Sequence, residues 1–242
     1  MILPAIPTET PEALLAGLRA AVPGRIVFTT SFGIEDQAIT HVIREARLDI
    51  EIVTLDTGRL FPETYELWAE TEAKYDLRIR SYHPDPAELG RMLANWGQNG
   101  FYNSKDARQA CCHVRKVAPL ARALAGAEAW VTGLRADQSQ ARGSVAPLEW
   151  DGERGLMKAA PLFAWSREDV AEFCRAHAVP INPLHARGFP SIGCQPCTRA
   201  IMPGEPERAG RWWWEDESAR ECGLHVAADG SFSPAAQQSR AA

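Results

Sequence analysis

Short apolar runs alternate with amphipathic segments along the first 180 residues of the chain. Runs rich in β-branched residues predict strands at 25–30, 50–58, 77–83 and 127–134, with two further strand pieces in PLEW (147–150) and GLMKAAPL (155–162). The intervening segments predict helices over 35–46, 62–76, 85–97, 106–124 and 166–177. Strands that alternate with helices are typical of βαβ units. We therefore expect the α/β class, with a mostly parallel twisted sheet and helices on both of its faces.

The pattern changes after about residue 205. The chain becomes charged and rich in tryptophan, and it ends in SFSPAAQQSRAA, a stretch with little to bury. The sequence thus predicts two parts, an α/β body over 1–205 and a C-terminal tail over 206–242.

Composition narrows the class of protein. The chain has 242 residues, of which 45% are hydrophobic and 24% charged, which is typical of a soluble globular protein. Its formal net charge of −5 argues against general nucleic-acid binding but allows a local basic pocket for a small anion. The N-terminal residues show no signal-peptide pattern, and no apolar run is long enough to cross a membrane. We expect a cytoplasmic protein in which thiols stay reduced.

Four of the six cysteines form two close pairs. Cys111 and Cys112 are adjacent in RQACCHVRK, and Cys194 and Cys197 form a CxxC in GFPSIGCQPCTRAI. Four thiolates are enough to enclose one metal centre, either a tetrahedral zinc or a [4Fe–4S] cluster. The adjacent pair subtends a wide angle, which favours the bulkier cluster. A thioredoxin-like role is disfavoured because that CxxC is expected on the first helix after an early strand.

The other two cysteines have different surroundings. Cys174 shares a helical stripe with Val170, Phe173 and His177, which predicts a core position. Cys222 lies in the polar stretch ARECGLH, with Arg220 before it and His225 after it. These cationic groups favour the thiolate, which is the nucleophilic form.

Three loops are expected at the carboxyl ends of the strands, where ligands of such sheets bind. In TTSFGIED, Ser31 and Gly33 precede a helix N-terminus, which suits an oxyanion. LDTGRLF follows the second strand, and TGLRADQSQARG carries Arg135 and Arg142. Each loop by itself is equally typical of an ordinary turn or a solvated connection.

Seven motifs in order resemble the assimilatory adenylyl-sulfate (APS) reductases. They are TTSFGIEDQ, LDTGRLFPETYEL, CCHVRKVAPL, TGLRADQSQARG, GCQPCTRAI, GEPERAGRWWWE and ECGLH. That family is related to the thioredoxin-dependent phosphoadenylyl-sulfate reductases and has an adenine nucleotide α-hydrolase-like fold. The resemblance spans about residues 25–225. It implies reduction of adenosine 5′-phosphosulfate to sulfite and AMP, with thioredoxin as electron donor, in sulfate assimilation and cysteine biosynthesis.

The resemblance also implies roles for single residues. A [4Fe–4S] cluster would be held by Cys111, Cys112, Cys194 and Cys197. Cys222 would be the catalytic nucleophile that forms an S-sulfocysteine. Contacts to the phosphosulfate would come from Lys116, Arg135, Arg208, Arg211 and His225, with Ser31 and Gly33 beneath it. Lys116 follows the cysteine pair by about one helical turn, so it is expected to link cluster and substrate.

Three alternatives are weighed against this interpretation. A phosphoadenylyl-sulfate (PAPS) reductase runs the same chemistry, but such enzymes typically lack the four cluster cysteines. An ATP-using adenylyltransferase would need an SGGxDS-like loop, which SFGIED lacks. A zinc-stabilised, non-enzymatic binding module leaves Cys222 and the arginines unexplained. A homo-oligomer is compatible with the sequence.

The tail is predicted to act as a lid. It would bring Cys222 to the substrate and later expose the same sulfur to thioredoxin, which requires an opening step. Trp212, Trp213 and Trp214 are expected to dock the tail onto the body rather than to stack on adenine.

Overall fold

Six strands form a single sheet in the order β3-β2-β1-β4-β6-β5. The strands are β1 (Arg25–Thr30), β2 (Glu51–Leu55), β3 (Arg80–Tyr82), β4 (Ala127–Val131), β5 (Leu148–Asp151) and β6 (Leu156–Ala159). All neighbours run parallel except β5 and β6, which are antiparallel. The computed structural model describes residues 3–138 and 146–215. The predicted α/β class with a mostly parallel sheet is confirmed.

Seven α-helices accompany the sheet in the described part of the chain. They are α1 (Pro11–Ala21), α2 (Ile34–Glu45), α3 (Pro62–Tyr75), α4 (Pro86–Trp96), α5 (Lys105–Cys112), α6 (Ala118–Leu124) and α7 (Arg167–Ala176). Within residues 3–138 and 146–215, no helix is both long enough and apolar enough to cross a membrane.

The predicted helix over 106–124 is interrupted. A π-helical segment, His113–Val117, separates α5 from α6. Pro119 lies in the first turn of α6 and has no N–H, so it cannot donate the α-helical hydrogen bond to the carbonyl of Arg115. A π turn often accommodates such a gap, and π turns occur frequently at functional sites.

Helix α1 was not expected from the sequence. Thr10 caps it by accepting a hydrogen bond from the amide of Ala13 at 3.1 Å, and Pro11 follows at its first position. Leu14, Leu15 and Leu18 are buried along one face. The Thr-Pro start and this apolar stripe were the sequence signals for the helix.

Both faces of the sheet are covered. Ile26 and Phe28 of β1 belong to a core cluster that also contains residues of α1, α2 and α7. Val27, which lies between them, packs instead in a cluster with Leu120 and Leu124 of α6. Successive side chains of a strand point to opposite faces, so β1 contributes to both cores.

The sheet has a topological switch point at β1. The chain proceeds from β1 to β2 and β3 on one side, then crosses to β4 on the other side. The loops that leave the carboxyl ends of β1 and β4 therefore diverge, and they open a crevice between them.

Residues 206–215 pack against the body. Arg211 forms an isolated antiparallel bridge with Thr198, and the amide of Trp212 donates to the carbonyl of Cys197 at 3.2 Å. The carboxylate of Glu215 pairs with Arg108 of α5 at 2.8 Å. The first ten residues of the predicted tail are thus anchored, while 216–242 lie outside the described residues. The predicted domain boundary at residue 205 stays a prediction.

Candidate active site

A large cavity lies at the switch point. Ser31 and Gly33 line it after β1, Thr57 after β2 and Gly133 after β4. Its lining also includes three cationic side chains, those of Lys116, Arg208 and Arg211. Such a crevice, lined by three cationic side chains, suits an anionic nucleotide.

The loop Ser31–Gly33 is held in one conformation. The amide and the hydroxyl of Ser31 both donate to the carboxylate oxygen Oδ2 of Asp36, at 2.6 and 2.7 Å. Phe32 has a φ of 61°, in the left-handed region that costs a non-glycine residue energy. Its ring is buried and stacks on Trp68 at 5.5 Å between centroids, which offsets that cost.

Asp36 is buried at the base of this loop. Burial raises the pKa of its carboxyl to about 7, against the opposing effect of the two hydrogen bonds from Ser31. The nearby Glu35 carboxylate raises the pKa further. The charge of Asp36 therefore changes near neutral pH, directly beneath the loop that faces the cavity.

Arg211 is buried beside the cavity with few partners of its own. Its Nη1 lies 3.4 Å from both the hydroxyl of Ser191 and the carbonyl of Ile192, and its guanidinium lies 4.7 Å from the centroid of the Trp212 ring. Its Nε has no hydrogen-bond partner among the residues described. A Cβ at Gly193 would overlap the guanidinium, so this close approach requires glycine. Arg211 thus retains unused donor capacity at the cavity.

Arg135 is placed differently. It is fully buried, and its guanidinium is engaged by the carboxylates of Glu35 at 2.9 Å and Glu207 at 2.9 Å. Its direct contact with a substrate, implied by the family resemblance, stays a prediction. Glu35 and Glu207, by contrast, both line the cavity and were not singled out in the sequence.

The four paired cysteines line a second, smaller cavity. Cys112, Cys194 and Cys197 are buried and Cys111 is half-buried, and all four are free thiols. In the part of the chain that the structure describes, no three histidine, cysteine or acidic side chains form a group that could hold a metal ion as they stand. The four cysteines thus share the lining of one cavity.

The lining of this cysteine cavity suits a larger inorganic group. Two of its residues, Arg115 and Trp212, carry buried nitrogens (Nε and Nε1) that lack a hydrogen-bond partner in the described ranges. Buried donors without acceptors are rare because they cost free energy. Four thiols together with unsatisfied N–H donors fit a cluster that has several sulfur acceptors. The donor set thus matches an iron–sulfur cluster better than a single zinc ion.

The two cavities are contiguous. Lys116, Cys194 and Trp212 line both of them. Burial alone would raise the pKa of the Cys194 thiol, but Lys116, the Thr57 hydroxyl, Arg211 and Arg115 bring it below its ordinary value. The shared wall therefore favours negative charge on this sulfur.

Of the two remaining cysteines, Cys174 lies in the core and Cys222 lies outside the described residues. Cys174 is buried in the core cluster with Val170, as predicted, and burial raises its pKa to about 12. Cys222 and His225, as well as Arg142, lie outside the described residues, so their roles stay predictions. Trp212 and Trp214 pack at the cysteine cluster as docking residues, whereas Trp213 is exposed. Trp212 was not expected to border the cavity.

Comparisons with known proteins agree on one family. Residues 25–200 match the family model described as phosphoadenosine phosphosulfate reductase domain. An adenosine 5′-phosphosulfate reductase of Rhizobium meliloti (strain 1021) is 58% identical over 214 residues, covering 88% of this chain and 79% of the relative. That of Allochromatium vinosum is 56% identical over 200 residues, covering 83% and 78%.

Solved structures with a similar fold include a member of the same family. A phosphoadenylyl-sulfate (PAPS) reductase from Candida auris, in a phosphate complex, superposes with a TM-score of 0.68 at 26% identity, over 79% of this chain and 90% of that one. An FMN adenylyltransferase of Candida glabrata, in complex with FAD and pyrophosphate, reaches 0.54 at 16% identity, over 88% and 74%. The second likeness concerns the fold alone.

Proposed function

The chain belongs to the phosphoadenosine phosphosulfate reductase family, and we propose that it reduces adenosine 5′-phosphosulfate to sulfite and AMP in sulfate assimilation. The high identity to adenosine 5′-phosphosulfate reductases supports this activity. The observation that carries the proposal is the shared wall, in which Lys116 and Cys194 border both the cationic cavity and the cysteine cavity.

The cofactor we propose is a [4Fe–4S] cluster, held by Cys111, Cys112, Cys194 and Cys197. When bound, the cluster supplies structural cross-links and an electrostatic field rather than electrons, because two thiol steps alone release sulfite. Arg115 and Trp212, which line this cavity and carry unsatisfied N–H groups, would donate to the bound cluster. A reducing cytoplasm would keep the cysteines as free thiols, available to bind the cluster.

Substrate binding is assigned to the cationic wall. Lys116, Arg208 and Arg211 neutralise the phosphosulfate, while the Ser31–Gly33 loop faces it from beneath. The chemical step brings a thiolate to an anion, so fixed positive charge at this place lowers the barrier. His225 adds a further cationic contact from the tail.

The reaction proceeds in two thiol steps. The thiolate of Cys222 attacks the sulfate sulfur, the bond from that sulfur to the phosphate oxygen breaks, and AMP leaves. Cys222 then carries an S-sulfonate. A thioredoxin thiolate attacks the Cys222 sulfur, sulfite leaves, and the second thioredoxin thiol resolves the mixed disulfide. The two electrons come from the thioredoxin dithiol.

The tail beyond Glu215 serves as a lid in this scheme. Glu215 is tied to Arg108, so the segment that carries Cys222 starts from a fixed point. Limited proteolysis around Arg220 tests the lid: AMP should slow cleavage there, and Arg211→Ala should weaken the protection. Equally slow cleavage without nucleotide would contradict it.

The activity is tested by sulfite formation from adenosine 5′-phosphosulfate with thioredoxin, with phosphoadenylyl sulfate as a parallel substrate. Cys222→Ser should bind nucleotide but form no sulfite, because an alcohol is a far weaker nucleophile than a thiolate. Mass spectrometry of the wild-type protein with substrate and no thioredoxin should show one sulfonate on Cys222. An adduct on Cys174, or preference for the 3′-phosphorylated substrate, would overturn the corresponding assignment.

A further inference from the structure

Arg135 bridges two carboxylates that both line the large cavity and come from distant segments of the chain. Its Nε donates to Oε1 of Glu35 at 2.9 Å, and its Nη2 donates to both carboxylate oxygens of Glu207, at 3.1 and 2.9 Å. The remaining terminal nitrogen, Nη1, faces Asp137 at 3.3 Å. The side chain of Arg135 has no solvent-accessible surface. Its donors are thus directed at protein carboxylates.

Each carboxylate is attached to part of the proposed anion site. Glu35 lies in the first turn of α2, directly after the Ser31–Gly33 loop. Glu207 immediately precedes Arg208, in the segment that also carries Arg211. The bridge through Arg135 therefore connects the loop to the arginine-bearing segment. Arg135 is 100 residues from Glu35 and 72 residues from Glu207 in sequence.

Two carboxylates beside an anion site are unfavourable on charge alone. Glu35 and Glu207 line the cavity, and their negative charges disfavour binding of a phosphate or sulfate there. Burial, followed by the Glu35 charge, raises the pKa of Glu207, while Arg135 opposes this shift. Arg167, 3.6 Å from Glu207, adds a second cation. Attraction to a bound anion therefore does not explain why Glu35 and Glu207 lie beside the site. Their ion pairs with the arginines hold them there.

We propose that Glu35, Arg135 and Glu207 are positioning residues that fix the arginine-bearing segment over the Ser31–Gly33 loop, so that Arg208 and Arg211 meet the nucleotide phosphate. Arg135 acts through the two carboxylates and does not touch the substrate, in contrast to the role implied by the family resemblance. This inference rests on the proposed function, and it assigns a role to two carboxylates that the reaction scheme does not use.

The test depends on whether Glu207→Gln strengthens or weakens the binding of AMP. Glu207→Gln removes a negative charge beside the site, so a purely electrostatic role predicts tighter binding of AMP. Positioning predicts the opposite, a loss of about tenfold in AMP affinity, because the neutral amide binds Arg135 less firmly and so fixes the segment that carries Arg208 less well. Isothermal titration calorimetry with AMP measures the change. Adenosine, which lacks the phosphate, should bind the variant and the wild type equally.

A matched control is available elsewhere in the chain. Glu149 is paired with Lys158 at 2.8 Å, and its side chain is 15% exposed, close to the 16% of Glu207. Glu149→Gln removes a comparable ion pair outside the cavity lining, so it should leave AMP affinity unchanged. Glu35→Gln is a second test variant, expected to weaken AMP binding as Glu207→Gln does, with thermal unfolding showing that each variant is folded.

The outcomes distinguish a failure of the positioning role from a failure of the proposed function. Unchanged or tighter AMP binding by folded Glu207→Gln or Glu35→Gln overturns the positioning role, while the proposed reaction stands if the wild type reduces adenosine 5′-phosphosulfate. A selective loss for AMP but not adenosine supports positioning. A wild-type protein that neither binds AMP nor reduces the phosphosulfate overturns the proposed function and this inference with it.

Discussion

The hydroxyl oxygen of Thr57 lies 3.3 Å from the sulfur of Cys194. Thr57 follows β2, and its backbone carbonyl also accepts a hydrogen bond from Arg115 at 2.6 Å. Cys194 lines both cavities, so a residue of the strand loop supports the sulfur that borders the substrate side. Partners of this kind orient a metal ligand and adjust its electron density.

Thr57→Val should weaken retention of the cluster without unfolding the protein. The substitution keeps the shape of the side chain but removes the O–H group that faces Cys194. We expect the visible absorption of the purified protein to bleach about tenfold faster under a chelator, in line with the effect of outer-shell residues on metal affinity. Thr40→Val is the control, because the Thr40 hydroxyl donates to the Asp36 carbonyl at 2.8 Å and not to a cysteine. Equal bleaching rates in both variants would contradict the role of Thr57.

Cys112→Ala should lose colour, solubility and activity together. A cluster held by the four cysteines would connect α5 to a turn about 80 residues later, so its binding would contribute free energy of folding. Cys174→Ala, the control in the core, should keep both colour and activity and lose only about 1 kcal/mol of the free energy of unfolding. Absorption spectra and sulfite assays of the two variants decide the matter. A colourless Cys112→Ala protein with full activity would remove the cluster from the function.

Asp36→Asn should stabilise the protein more at pH 8 than at pH 5. The pKa of Asp36 rises from 3.8 to about 7 on folding, so its contribution to stability is fully present below pH 4 and is lost as the pH rises toward 7. Asparagine does not titrate. The gain in the free energy of unfolding should therefore grow by about 2 to 3 kcal/mol between pH 5 and pH 8, measured by chemical denaturation.

Asp169→Asn is the control for this pH effect. Backbone and side-chain hydrogen bonds from Ser166 lower the pKa of Asp169, so its carboxyl is ionised at both pH values. Its effect on stability should be the same at pH 5 and pH 8. If Asp36→Asn behaves in the same way, the Asp36 carboxyl does not titrate in this range.

Gly193→Ala should weaken AMP binding by displacing Arg211. The added Cβ would overlap the guanidinium, which has to move away from the cavity wall. We expect AMP affinity to fall by about tenfold, the scale of a lost charge-assisted contact. Gly152→Ala serves for comparison, because a Cβ there meets nothing within 4 Å. Unaltered AMP affinity in Gly193→Ala would show that Arg211 does not bind the phosphate.

Local patterns predicted much of this molecule. The β-branched run at 25–30 coincides with β1, and the predicted helix at 62–76 is α3, one residue shorter. The pairing of Cys111 and Cys112 with Cys194 and Cys197 also followed from the sequence, because thiols in two close pairs suggest one shared centre. These features depend on periodicity or on residue type within a short segment.

Other features depend on contacts between distant segments. Arg135 resembled a solvated or substrate-binding cation because its partners, Glu35 and Glu207, lie far away along the chain. Pro119 was a sequence signal for an interruption near residue 115, but the form of that interruption, the π-helical segment His113–Val117, depends on backbone hydrogen bonds that a pattern of side chains does not reveal. Trp212, with a φ of 42°, lies between the cavities only because residues 206–215 fold back.

The ion pair of Arg108 with Glu215 sets a tether length for Cys222, the proposed nucleophile. Cys222 follows Glu215 by seven residues, so its Cα can travel at most about 25 Å from that anchor. A thiol confined to so small a sphere has an effective concentration on the order of tens of millimolar, so it would meet a bound nucleotide without a diffusive search. The same radius limits where the thiol of an electron donor can reach the Cys222 sulfur. Any docking position for that donor must therefore place its thiol near the sphere centred on Glu215, beside Arg108 of α5.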